Sequence, residues 1–315
     1  MISERRALLI FNPRTGRYKA RRPLQADSVC DYLRRHQIEV EPAATAGPGH
    51  AADLARRAIR EGYTEVIVCG GDGTINEAVQ GLAGSDLRLG IIARGTGNVL
   101  ARELQLPLHS RQAMKVIAAG HTRGIYLGCA IDDATKAKRY FFLMAGIGLD
   151  ASVVSQVRPG LKKRIGKAAF WYSGLRHLTG WEPIPFAVMV DGHRYDATFA
   201  AIGKSARYGG NLSVTPRARL DDPSFEICLV ESRSRLRYLQ LLSHVMRGGI
   251  PADKPGIRFL HATRARAEGT VGVQVDGELI GQLPMSFEIA RHSLEVIVSS
   301  TPPSSSPARR PSARP

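Results

Sequence analysis

Cys69-Gly70-Gly71-Asp72-Gly73-Thr74-Ile75-Asn76-Glu77 follows directly on the run Glu65-Val66-Ile67-Val68. A buried strand that ends in glycines and hands over to a helix is a βα junction, and in an open α/β sheet ligands bind at such strand ends. Glycine lets the backbone approach a phosphate closely, and the free amides of the next helix turn offer it partial positive charge. Asp72 sets a carboxylate among those amides, where a metal ion would neutralise both it and a phosphate. The plainer reading is a glycine turn with Asp72 as a helix cap. A second turn of the same kind, Arg94-Gly95-Thr96-Gly97-Asn98, follows the next apolar run.

Outward from these turns, ALLIFN (7–12), IEVEPAAT (38–45), EVIVCGG (65–71) and LRLGIIA (87–93) alternate with helical stretches at 24–36, 50–60 and 75–82. That alternation predicts a βα repeat with a parallel sheet. From about residue 125 the texture changes to closely spaced strand candidates, RYFFLMA, FAVMV, TFAAIG, FEICLV, GVQVDG, SFEIA and LEVIV, separated by turn residues. These predict an all-β sandwich, interrupted by helical candidates at 161–178 and 234–247. The division is therefore an α/β domain over 1–125 and a sandwich over 126–287, with a disordered Pro-, Ser- and Arg-rich tail at 301–315.

A chain of 315 residues, 43% apolar, can fill two cores. Its longest apolar runs are far short of the roughly 18 residues of a membrane span. The N-terminal MISERRALLIFNP has too short an apolar run for a signal peptide, which points to the cytoplasm. Cys30, Cys69, Cys129 and Cys228 form no CxxC pair and read as buried apolar filler rather than a zinc or disulfide framework. The net charge of +16 calls for an anionic partner, and it is dispersed rather than gathered in one arm. With no helix-turn-helix, zinc-finger or RNA-recognition pattern, specific nucleic-acid binding is the least favoured use of that charge. Residues 158–178 carry six Lys/Arg and no acid beside Phe170-Trp171, a pattern for an anionic membrane surface or for a helix covering the sandwich.

Three segments have plain readings. Gly146-Ile147-Gly148-Leu149-Asp150-Ala151 reads as a tight turn near the cleft between domains, because no βαβ unit follows it. Gly203-Lys204-Ser205 lacks the upstream glycine of a phosphate-binding loop and reads as incidental. Asp276-Gly277 reads as a hairpin turn.

Taken together, FNPRTGR (11–17), GGDGTINE (70–77), GTGN (95–98), GIGLDA (146–151) and VDGE (275–278) resemble the lipid kinases that carry the diacylglycerol kinase catalytic domain, over most of residues 7–300. The resemblance implies an α/β nucleotide domain related to NAD kinases, then a β-sandwich, with the chain end at about 288–300 returning to the first domain. It implies that Asn12, Pro13, Arg14, Thr15, Gly16, Thr45, Gly71, Asp72, Gly73, Thr74, Ile75, Asn76, Glu77 and Thr96 contact ATP. Asp72 would organise the catalytic magnesium, and Glu278 would be the general base. A structural magnesium would be held by the Asp222 carboxylate with the carbonyls of Arg219 and Ser224, although Pro223 replaces the family's usual glycine and a plain Asp-Pro turn is the alternative. Val99 and Tyr126 stand where many members have carboxylates. The implied activity is ATP- and Mg2+-dependent phosphorylation of a lipid hydroxyl, diacylglycerol first, at the inner membrane surface. A soluble hydroxyl substrate and a low-activity or non-catalytic binder of nucleotide and lipid are the alternatives, and a homodimer is left open.

Overall fold

In the computed structural model the described residues are 5–13, 26–149, 151–152, 181–206, 213–246 and 255–300. The segments 158–178 and 301–315, and Arg14, Thr15 and Gly16, lie outside them.

The first sheet has the order β2 (Ile38–Ala44), β1 (Arg5–Phe11), β3 (Glu65–Gly70), β4 (Arg88–Ala93), β18 (Leu294–Ile297), β5 (Thr122–Ile125). The pairings β1–β2, β1–β3, β3–β4 and β4–β18 are parallel, and only the edge strand β5 runs against its neighbour. Strands buried on both faces read as continuous apolar runs, as β3 does. On one face α2 (His50–Arg60) and α3 (Asp72–Leu82) bury Leu54, Ala55, Ile75 and Val79 against Leu8, Val66 and Ile91. On the other, α1 (Ala26–Arg34) and α5 (Ser110–Ala119) bury Val29, Leu33, Met114 and Ile117 against Leu9, Ile67 and Ile92. Because β1 is flanked by both β2 and β3, the helices change faces there, and the sheet opens a crevice at the carboxyl ends of β1 and β3.

The helix after β3 begins three residues earlier than its apolar pattern suggests. Gly71, in extended backbone, is the cap, and Asp72 is already the first helical residue. The short α4 (Val99–Glu103) follows the second glycine turn.

The second body is a sandwich of two six-stranded sheets. One has the order β10 (His193–Ala197), β9 (Phe186–Val190), β14 (Arg264–Glu268), β17 (Met285–Ile289), β6 (Gly128–Asp132), β7 (Lys138–Phe141). The other has β13 (Ile257–Ala262), β12 (Phe225–Val230), β11 (Phe199–Gly203), β8 (Met144–Gly148), β15 (Gly272–Val275), β16 (Glu278–Gln282). Phe141, Ile147, Val188, Ile202, Phe225, Val273 and Phe287 meet between them. A helix α6 (Arg235–Met246) lays Tyr238 and Leu241 over Cys228 and Val230 on the outer face of the second sheet. The four cysteines are free and buried.

Two plain readings change. Gly146 to Gly148 end strand β8 rather than forming a turn, paired with β11 and, through Gly146 and Ile147, with β15. A Cβ on Gly148 would lie 2.7 Å from the carbonyl oxygen of Thr198. Lys204 is also not incidental, being fully buried at the end of β11.

Several residues of the sandwich half reach into the other core, Leu127, Phe142, Leu143 and Leu220 among them. Leu220, in the loop before β12, is 2% exposed and packs in the cluster formed by α2, α3 and the first sheet. Replacing Leu220 by Ala removes a buried side chain that cannot be refilled from one side, so it should lower unfolding free energy by about 2–5 kcal/mol in urea titration. A loss under about 0.5 kcal/mol, the range of a surface change, would mean that the loop does not anchor there.

Candidate active site

The two glycine turns lie backbone against backbone. A Cβ on Gly95 would stand 2.7 Å from the Gly71 Cα, and one on Gly71 would stand 3.1 Å from the Gly95 Cα, so neither position takes a side chain without displacing backbone. The Asn98 side chain closes the second turn by accepting the Gly95 amide at 2.8 Å, while the Val99 amide donates to Asp72 Oδ1 at 2.7 Å. Asp72 thus bridges the two turns. Its other oxygen, Oδ2, faces Gly97, where a Cβ would come within 2.7 Å, so the missing side chain leaves room beside that oxygen.

At the crevice between β1 and β3 lies a cavity of about 230 Å3 lined by Asn12, Thr45, Ala46, Gly47, Pro48, Thr74 and Glu77. Asn12 is drawn to it by its amide bond to the Cys69 carbonyl at 3.3 Å, and Thr45 by a 2.9 Å bond to the Phe11 carbonyl. Glu77 Oε2 accepts the Ala51 amide at 3.3 Å, in the first turn of α2. The chemistry available is amides at the start of α3, hydroxyls of Thr45 and Thr74, and the carboxylates of Asp72 and Glu77. Exposed amides with a helix dipole behind them suit a phosphate chain.

Of the residues the sequence singles out, Asn12, Thr45, Thr74 and Glu77 line the cavity, and Gly71, Asp72 and Gly73 form the turn beside it. Pro13 follows Asn12, and Thr96 is exposed on the second turn. Ile75 is different: its side chain is fully buried in the core and its amide bonds the Gly71 carbonyl. Asn76 turns away as well, into a network that joins the two halves of the molecule.

That network runs along one face of α3. Asp72, Asn76 and Gln80 are spaced i, i+4, i+8 and so share a side of the helix. Gln80 exchanges two 2.9 Å bonds with the backbone of Tyr140 in β7. Asn76 Nδ2 donates to Asp276 Oδ2 at 3.0 Å across 200 residues of sequence. Asp276 and Gly277, at φ 47° and 84°, form the two-residue turn of the β15–β16 hairpin. The Asp276 carboxylate also accepts the consecutive amides of Phe142, Leu143 and Met144 at 2.9 to 3.1 Å. Burial pushes this carboxyl up to about 6 against the pull of the three amides and Asn76, which leaves it ionised at neutral pH. Glu278 begins β16 and pairs with Arg139, whose guanidinium also donates to Asn76 Oδ1 at 3.0 Å. The structure thus brings the VDGE hairpin against the helix that follows GGDGT.

Arg219, Asp222 and Ser224 also converge, on the ammonium group of Lys204. Their backbone carbonyls all accept from Lys204 Nζ, at 3.1 Å for Arg219 and 3.0 Å for Ser224, with Asp222 the third. The Asp222 carboxylate, expected as a ligand, instead accepts the Ser224 hydroxyl at 2.8 Å. Burial pushes Lys204 down to about 8 while Asp222 and Asp221 draw it back up, so it is an ammonium at neutral pH. The carbonyls expected as magnesium ligands thus face a side-chain cation. Among the described residues no group of three or more His, Cys, Asp or Glu gathers as a metal site.

Sequence reasoning passed over Arg139, Gln80 and Lys204, and treated Asp276 as a turn residue alone. Each lies on an element whose local pattern is complete without it, so no local signal marks its partner.

Residues 6–130 match the model of the diacylglycerol kinase catalytic domain, and residues 144–298 match the YegS C-terminal NAD kinase beta sandwich-like domain. A diacylglycerol kinase of Mycobacterium tuberculosis (strain ATCC 25618 / H37Rv) is 30% identical over 270 residues, 84% of this chain and 86% of that protein. One from Staphylococcus aureus (strain MRSA252) is 30% identical over 295 residues, 91% of each chain. A crystal structure of a diacylglycerol kinase from Bacillus anthracis str. Sterne superposes with a TM-score of 0.70 at 21% identity, over 94% of this chain and 97% of that one, which shows a shared fold.

Because the carboxylate of Asp276 meets four donors, Asp276→Asn turns an amide NH2 toward at least one of them. It should cost about 2–4 kcal/mol of stability in urea unfolding, since donors left without an acceptor in a buried place carry their full desolvation cost. Glu278→Gln breaks only a half-exposed ion pair and should change stability by less than about 1 kcal/mol. Equal effects of the two would contradict the assignment of Asp276 as the joint.

Proposed function

We propose, on the premise that this chain belongs to the diacylglycerol kinase catalytic domain family and is a lipid kinase, that it transfers the γ-phosphoryl group of ATP to the free hydroxyl of diacylglycerol. The observation that carries this reading is the Asn76–Asp276 hydrogen bond. It ties the helix of the phosphate-type turn to the hairpin bearing Glu278, so one carboxylate can serve the phosphates and another the acceptor hydroxyl.

In this reading the amides at the start of α3 and the adjoining glycine turn receive the phosphate chain, with Asn12, Thr45, Thr74 and Glu77 along the cavity. Arg14, Thr15, Gly16 and Thr96 complete the nucleotide contacts. The magnesium carried by the nucleotide supplies charge neutralisation at the phosphoryl oxygens, and Asp72 Oδ2, with the room Gly97 leaves beside it, is the protein oxygen suited to meet it. Glu278 accepts the proton of the lipid hydroxyl as that oxygen bonds to the γ-phosphorus and the bond from that phosphorus to the β-phosphate oxygen breaks, releasing ADP; Arg139 orients the carboxylate. An alcohol proton is too weakly acidic to leave first, so acceptance during transfer is the useful role. Alignment and charge neutralisation do the remaining work, because phosphoryl transfer asks little covalent chemistry of a protein.

The lipid acceptor sits in a bilayer, so the protein has to reach one. No helix among the described residues is long and apolar enough to cross a membrane. We assign peripheral docking on an anionic leaflet to residues 158–178, on their sequence alone: each basic side chain near such a surface is worth about 1 kcal/mol.

Transfer of labelled γ-phosphate into a lipid panel in detergent micelles with magnesium should give phosphorylated diacylglycerol. Glu278→Gln should lower kcat by roughly 10^2- to 10^4-fold, the usual worth of a general base. Asp72→Asn should do the same by weakening the phosphate site, since its amide oxygen can still accept the Val99 amide and keep the turns closed. Label in a soluble alcohol and in no lipid would reverse the substrate assignment. Separately, Gln at Lys162, Lys163, Arg164 and Lys167 together should reduce sedimentation with anionic liposomes, and unchanged sedimentation would remove that segment from the docking role.

A further inference from the structure

The loop 217–224 is organised around a lysine, and this has a consequence for the protein's use of metal. Lys204 is fully buried, and its ammonium meets the carbonyl oxygens of Arg219, Asp222 and Ser224. Three carbonyls are the full donor capacity of one ammonium group. The Tyr126 ring lies 6.0 Å from Nζ, within the reach of a cation–π contact. The loop's other support is also an ion: Glu226, 1% exposed, accepts the amides of Arg217 and Ala218 at 2.6 and 3.2 Å.

The place is connected to the rest of the molecule on three sides. The Tyr126 amide donates to the Leu220 carbonyl at 2.8 Å, tying the loop to the end of β5. Leu220 itself packs in the core of the α/β half. The amides of Lys204 and Ser205 donate to the Leu143 carbonyl at 2.8 and 3.1 Å, and the Leu143 amide donates to Asp276 Oδ1. The loop is thus one residue removed from the joint that positions the Glu278 hairpin.

We propose that Lys204 is a built-in substitute for a divalent cation: its ammonium closes the 219–224 loop in place of the structural magnesium, so the fold of this protein needs no metal of its own. Convergent backbone oxygens leave the loop an excess of negative partial charge that some cation must meet. A side-chain ammonium meets it permanently, whereas a bound magnesium would meet it only at sufficient concentration. Entry of a divalent ion is opposed by the resident charge and by the lack of a free carbonyl. Magnesium dependence of activity is then confined to the nucleotide. This inference concerns the loop alone and stands whether or not diacylglycerol is the acceptor.

The test is thermal unfolding of the full chain without nucleotide, at matched ionic strength, in EDTA, Mg2+ and Mn2+. Wild type should melt at the same temperature in all three. Lys204→Ala should melt roughly 5–15 °C lower in EDTA, as expected when three buried carbonyls lose a charged donor in a domain of this size. It should recover part of that loss in Mg2+ or Mn2+, which can enter the emptied carbonyl set. Lys204→Met, which keeps the side-chain volume without the charge, should melt low and respond less, since its methyl group blocks the ion. Should both variants fail to fold, Mn2+ binding to nucleotide-free wild type followed by electron paramagnetic resonance decides: no bound Mn2+ supports the substitution. Stabilisation of wild type by Mg2+, tight Mn2+ binding to it, or a Lys204→Ala protein that loses stability without any response to divalent ions would each overturn the proposal.

Discussion

A buried carboxylate that accepts three consecutive backbone amides is an anion held in a nest, and Asp276 is such an anion. Its fourth donor, Asn76, comes from the other half of the molecule. Phe142 to Met144 lead from β7 into β8, so the contact fixes the crossing between the two sandwich sheets at the point where α3 arrives. The carboxylate lies in a place that burial disfavours for charge, and four donors offset that cost. This group and its neighbours Arg139 and Gln80 relate the phosphate-type turn to the β15–β16 hairpin.

The α/β half contributes a different constraint, the closeness of two backbones. Gly71 and Gly95 approach so nearly that the two turns behave as one surface, and Asp72 is shared between them through the Val99 amide. The result is a floor of peptide groups at the open end of α3, beside the crevice that the strand order creates. The same helix then carries Asn76 and Gln80 toward the sandwich. One element therefore orients the phosphate-type turn at its beginning and holds the second half of the molecule along its length.

Buried ions recur as devices for shaping loops and joints. Glu65, fully buried, is met by Arg5 at 3.0 Å and Arg88 at 3.2 Å, and Arg5 also donates to the last carbonyls of α5. Glu226 and Lys204 act on the 217–224 loop with opposite charge, the first through amides and the second through carbonyls. In each case the partners include backbone groups or opposite charges in close geometry, which is the condition under which burying a charge is tolerated. The surplus of basic residues that gives the chain its +16 is a separate matter; among the described residues most basic side chains are exposed.

Local pattern determined much of this protein. The alternation of apolar runs with helical periods, the glycines closing β3 and β4, and the change of texture near residue 125 specify an α/β sheet followed by a sandwich, because these are properties of residues close in sequence. The motifs around Asp72 and Glu278 were legible in the same way, as short strings whose resemblance names a family. Tertiary structure decided which of these residues meet. Ile75 went to the core and Asn76 to a partner 200 residues away, although both sit in the same motif as Thr74. Lys204 looked incidental because its partners are carbonyl oxygens, which every residue possesses and no sequence pattern marks. Asp276 looked like an ordinary turn residue because the amides it gathers belong to a loop more than 130 residues earlier. Side-chain types and their periodicity are written along the chain; the pairing of a charge with backbone groups exists only once the chain has folded.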